Sequence, residues 1–138
     1  DGPHTVSLSK TVSRAVCRFS ALGTDNGNGY TNWGVETDNA TDGAYEEFTR
    51  DGGNNSSQQY WGFDTFVEDF SGEFEVMYDS DHGQVYYRIK YSSDMRDGDT
   101  IYGSAPASSG ISSLTLDTHT SSASVDSLDV TVWEVMTP

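Results

Sequence analysis

Positive charge is what this sequence has least of. Lysine occurs only at Lys10 and Lys90, and all lysines and arginines together number 7 against 22 carboxylates, a formal net charge of -15. A polyanion is held by cations that displace counterions from its phosphates, and a surface of this sign repels one instead. Nucleic acid is therefore excluded as a partner, and an anionic membrane surface is disfavoured on the same ground. Aspartate outnumbers glutamate about two to one, a composition shared by proteins from salt-loving organisms and by acidic secreted proteins.

Cysteine is equally scarce. Cys17 stands alone, so no internal disulfide can form. Its setting, Ala15-Val16-Cys17-Arg18-Phe19, is that of a small buried hydrophobe. His4, His82 and His119 fall in unrelated contexts, which leaves neither a thiol nor a serine nucleophile with an evident base. No apolar run approaches the ~18 residues that a membrane-spanning helix requires. The expectation is a soluble chain with no membrane insertion. Phosphate-cradling loops, zinc-ligand spacings, nucleophile elbows and internal repeats are all missing. Helix-forming stretches are nearly so, and only Asp42 to Thr49 could hold a turn or two between glycines.

What remains is short runs of β-branched and aromatic residues separated by Gly, Asn, Asp and Ser. That spacing predicts an all-β fold with little helix, a single antiparallel β-sandwich of jelly-roll or concanavalin-like kind spanning residues 1–138. The clearest element is a hairpin from Phe70 to Tyr91. Phe70, Gly72, Phe74, Val76 and Tyr78 alternate with polar residues, and Val85, Tyr87, Ile89 and Tyr91 do the same on the partner run. Placing Tyr78 opposite Val85 sets Met77 against Tyr86, Glu75 against Arg88 and Glu73 against Lys90. A one-residue slip would turn every apolar side chain to the wrong face.

The other strands are less sharply written. Residues 1–16 read as an N-terminal edge strand or assembly arm, with Val6, Leu8, Val12 and Val16 alternating with Ser and Thr. Tyr60 to Val67 is aromatic and expected at the centre of a sheet. Thr100 to Tyr102 reads as a short strand, Ile111 to Leu116 as another, and Leu128 to Met136 as a last strand apolar on both faces through Trp133, Val135 and Met136. The long segment Gly23 to Gln59 reads as loop, with a strand at Asn32 to Thr37, because loops of that length are uncommon without structure of their own. Ser104 to Ser113 and Ser121 to Ser127 also read as loops.

Three kinds of site are suggested. Glu73 and Glu75 share one strand face, but each then faces a cation, which is the setting of a surface charge ladder rather than of a proton donor and its partner. Calcium is the one candidate cofactor, since hard oxygen ligands cluster in turns; Asp38, Asp42, Asp79 and Asp81 are its candidate ligands. The loop starting at Asp38 fails as an EF-hand, because Ala40 and Thr49 stand where oxygen ligands are required. Aromatics outside the alternating strands could stack on sugar rings, with Tyr30, Trp33 and Tyr45 the candidates and Trp61 assigned to the core. Asn39-Ala40-Thr41, Asn54-Asn55-Ser56 and Asn55-Ser56-Ser57 match the glycosylation acceptor pattern, which matters only on an exported chain.

The chain opens on Asp1 rather than Met, as a matured exported or virion protein would. With no catalytic constellation, the leading expectation is a non-enzymatic structural subunit of an extracellular or virion assembly. Its partners would be copies of itself or other subunits, joined through Val6, Leu8, Val12, Trp133 and Val135. A carbohydrate-binding, lectin-like module for glycans is the alternative.

Overall fold

The computed structural model describes residues 4–22, 31–41, 43–49, 54–58, 60–65, 69–93, 96–118 and 124–133. Eleven strands form two antiparallel sheets packed face to face, and no helix occurs among the described residues. The strands are β1 (His4–Val12), β2 (Arg14–Leu22), β3 (Thr31–Thr37), β4 (Tyr45–Thr49), β5 (Asn54–Gln58), β6 (Trp61–Thr65), β7 (Asp69–Asp79), β8 (Gln84–Ser93), β9 (Arg96–Pro106), β10 (Ile111–Thr118) and β11 (Ser124–Trp133). One sheet runs β1-β10-β3-β6 and the other β11-β2-β7-β8-β9-β4-β5.

The central hairpin has the register its alternation predicts. Tyr78 pairs with Val85, Met77 with Tyr86, Glu75 with Arg88 and Glu73 with Lys90. Phe74, Val76, Val85, Tyr87 and Ile89 are buried, while Met77, Tyr86, Arg88 and Lys90 are exposed. Opposite them the four-stranded sheet contributes Trp33, Val35, Trp61, Ile111, Leu114 and Leu116 to the same core. Trp61 lies at its heart, stacked on Tyr87 with ring centroids 4.7 Å apart and met edge-on by Tyr45 at 4.7 Å. Cys17 is fully buried, as its neighbours suggest.

Several expectations need correction. The run from Thr5 to Val16 is two strands, because the chain leaves the four-stranded sheet at Ser13 and enters the other at Arg14. Core-facing positions on β2 are Ala15, Cys17, Phe19 and Ala21, so Val16 falls on the opposite face. The stretch read as a helical turn is β4, which pairs with β9 and β5. Ladder bonds there override a weak local preference. The aromatic run after Tyr60 forms β6, which ends its sheet rather than centring it, and the short strand at Thr100 is the middle of an 11-residue β9. Both Ser-rich stretches read as loops contribute to strands, at the end of β9, the start of β10 and the start of β11.

Candidate functional site

In the seven-stranded sheet β2, β7, β8 and β9 lie side by side, and alternation turns every second residue away from the core. Register lines these outward residues into rows. Arg14, Met77, Tyr86 and Ser104 make one row; Val16, Glu75, Arg88 and Tyr102 the next; Arg18, Glu73 and Lys90 a third. Glu73, Glu75, Arg88, Lys90 and Tyr102 line an open groove of about 310 Å³ on this face.

Charge in the groove is held in place by cross-strand pairs. Glu75 accepts from Arg14 Nε at 3.1 Å through Oε1 and from Arg88 Nη2 at 3.3 Å through Oε2, so each of its oxygens has an arginine. Glu73 meets Arg18 Nε at 3.5 Å. Exposed pairs of this kind contribute at most about 1 kcal/mol each, but together they fix where donors and acceptors stand. Met77, Tyr86 and Tyr102 are the exposed large hydrophobics of the described residues, and all three lie on this face. Tyr102 is the most open, at 52%.

The sequence points to Glu73, Glu75, Arg88 and Lys90 as one ladder, and the groove contains all four. It does not point to Arg14 and Arg18 as partners of the two glutamates, since that requires knowing that β2 flanks β7. Tyr102 is missed for a similar reason, because the reach of β9 is hidden in a polar stretch.

The aromatics nominated for sugar stacking do not form a platform. Trp33 is 0% and Tyr45 2% exposed, so both are core residues with no ring face open to a ligand. The Tyr45 hydroxyl donates to the Thr37 carbonyl at 3.3 Å and accepts from the Thr37 N–H at 3.4 Å, which ties the two sheets together. Tyr30 lies outside the described residues.

Two of the carboxylates nominated for calcium, those of Asp38 and Asp79, are engaged with backbone. Asp38 Oδ1 accepts from the N–H groups of Ser112 and Ser113, each at 2.8 Å. Asp79 Oδ1 accepts from Asp81 N at 2.9 Å and His82 N at 3.3 Å, and its Oδ2 lies 2.7 Å from His82 Nδ1. Asp81 is exposed in that turn, and Asp42 lies outside the described residues. Among the described residues no three His, Cys, Asp or Glu side chains come together as a metal site.

Of the residues nominated for assembly, Val12 is buried in the chain's own core and Leu8 packs against it. Val12 is therefore not available to a partner, and Leu8 is half-buried. Val6 is half-buried on β1. Trp133 ends β11 opposite Arg14, and Val135 lies outside the described residues.

No model of a known protein family matches the chain, and no curated protein is significantly similar to it in sequence.

Proposed function

We propose that this chain is a non-enzymatic structural subunit of an extracellular or virion assembly, joined to copies of itself by strand addition at a sheet edge. The observation that carries this reading is β11. It ends the seven-stranded sheet, and its outer edge pairs with nothing among the described residues. It is ten residues long, without proline, lysine or arginine; its register against β2 shifts once, between Val125 and Ser127 near its start, and is unbroken from Ser127 to Trp133. Proteins that stay monomeric blunt such edges with cations, prolines or bulges.

The contrast with β1 supports the choice of edge. β1 ends the other sheet on the same side of the sandwich, beside β11. It carries Lys10, and its pairing is irregular between Ser7 and Val12. That edge is protected, so strand addition belongs to β11. A non-enzymatic role fits the chemistry of the groove, where both glutamates are occupied by arginines and the lone thiol is buried away from it.

Sedimentation velocity over a range of protein concentrations, in low and in molar sodium chloride, tests this. Wild type should form concentration-dependent oligomers, and Thr131→Lys, which sets a cation on the open edge strand, should sediment as a monomer with an unchanged circular dichroism spectrum. A wild-type protein that stays monomeric at every concentration and salt would overturn the reading.

A further inference from the structure

We infer that the groove on the outer face of the seven-stranded sheet is a binding site for a neutral saccharide. This goes beyond the assembly reading and does not depend on it, since the groove lies on a sheet face and the proposed contact is at an edge.

The ligand class follows by elimination from what the groove offers. Its floor is made of β7, β8 and β9, whose backbone groups are consumed in two continuous ladders from Gln84 to Tyr91. An extended peptide is recognised chiefly through main-chain bonds, and this surface has none to give. Recognition must come from side chains alone. Those present are carboxylate acceptors on Glu73 and Glu75, donors on Arg88 and Lys90, and on Tyr102 a hydroxyl beside a half-exposed ring.

Charge narrows the class further. A polyanion approaches a protein of net charge -15 against its whole field. Within the groove Glu73 and Glu75 are balanced by Arg88 and Lys90, so a cationic ligand finds no net counter-charge there. A neutral ligand meets neither obstacle. It has to present many hydroxyls, to use donors and acceptors set close together, and an apolar ring face to lie on Tyr102. A pyranose supplies both, because its hydroxyls, most of them equatorial, rim a C–H face that stacks on aromatic rings. The ion pairs hold Glu75 and Arg88 in place before the ligand arrives, which reduces the ordering cost of binding. A volume near 310 Å³ is at the small end of ligand sites, so one or two sugar rings would be held and the rest of the glycan would lie outside.

The test is calorimetric titration with neutral trisaccharides of glucose, mannose and galactose, alongside a uronic acid trisaccharide, on wild type and on Thr131→Lys. At least one neutral sugar should bind both proteins equally, with Tyr102→Ala weakening it about tenfold and Tyr102→Phe retaining it within about threefold. Amide and side-chain NMR shifts on titration should centre on Arg88, Lys90 and Tyr102. Absence of binding by every neutral sugar at millimolar concentration would overturn the proposal. So would tighter binding of the uronic acid sugar, or a folded Tyr102→Ala protein that binds as wild type does. Binding to the Thr131→Lys protein separates this result from the assembly reading, whichever way that one falls.

Discussion

Asp79 shows how one side chain can fix a hairpin whose outward residues line a groove at a distance. Its carboxylate closes the β7–β8 turn by accepting two backbone N–H groups and contacting the His82 ring, while Gly83 takes the left-handed conformation with φ 61° that completes the turn. The His82 side-chain hydrogen bond, foremost, and the backbone donors of Asp81 and His82 hold the Asp79 carboxyl below its ordinary value, against an opposing contribution from burial. A carboxyl depressed on folding contributes stability that is fully present above its unfolded value, about 3.9, and lost as pH falls through the lower folded value. The turn should therefore stay closed to a more acidic pH than an ordinary aspartate allows. A carbon-detected NMR titration should place the Asp79 midpoint below the ordinary value, and His82→Ala should move it upward. An Asp79 midpoint at or above that of an unstructured aspartate would refute this account of the turn. The same bonds show the Asp79 carboxylate, a calcium candidate together with Asp81, engaged by the backbone of its own turn.

At the scale of strands, the packing of β9 against β6 depends on an absent side chain. A Cβ on Gly103 would stand 2.5 Å from Trp61 Cδ1 and 2.5 Å from the Glu46 carbonyl oxygen. The indole cannot retreat, since Tyr87 lies flat against it and Tyr45 meets its edge. Overpacking of this kind typically costs ~1–3 kcal/mol. Gly103→Ala should lower the thermal unfolding midpoint by several degrees and weaken the near-ultraviolet signal of the tryptophans; an unchanged midpoint would show that the interface yields easily. What sequence makes legible follows the same physics. β7 and β8 can be read, register included, because Phe74, Val76, Val85, Tyr87 and Ile89 alternate with a set that holds Glu73, Glu75, Arg88 and Lys90, and only one pairing puts both sets on their proper faces. β2 is harder, since its inward positions include the small Ala15, Cys17 and Ala21, whose size does not announce burial. β5, Asn54–Gln58, has no apolar residue at all and exists through its pairing with β4. The groove is half legible for this reason: the Glu73, Glu75, Arg88 and Lys90 ladder lies within one hairpin, whereas Arg14, Arg18 and Tyr102 join it through strand neighbours that only the folded sheet defines.

For the whole molecule the deciding quantity is the imbalance of charge and where the few cations sit. Of the seven lysines and arginines, Arg14, Arg18, Arg88 and Lys90 share one outer face. The sequence has only three more cations, Lys10, Arg50 and Arg96, for the twenty carboxylates other than Glu73 and Glu75. Two electrostatic effects then compete as salt is added. The Arg14–Glu75–Arg88 and Arg18–Glu73 pairs weaken, but they are few and exposed, each contributing about 1 kcal/mol or less. Repulsion among the carboxylates in excess follows from the net charge of -15, and it fades as the screening length shrinks from ~10 Å at 0.1 M to ~3 Å at 1 M. The second effect is the larger, so the unfolding midpoint should rise between 0.1 and 1 M sodium chloride, as measured by calorimetry at pH 7. Arg88→Gln should lower the midpoint slightly and leave its dependence on salt nearly unchanged, because one pair is a minor part of the total. A midpoint that fell with added salt would mean that the pairs around Glu75 dominate the electrostatics of this fold. Affinity for a neutral sugar provides an internal comparison: it should vary little over the same range of salt, since no net charge is brought into the groove, whereas recognition of an anion would change with every step of screening.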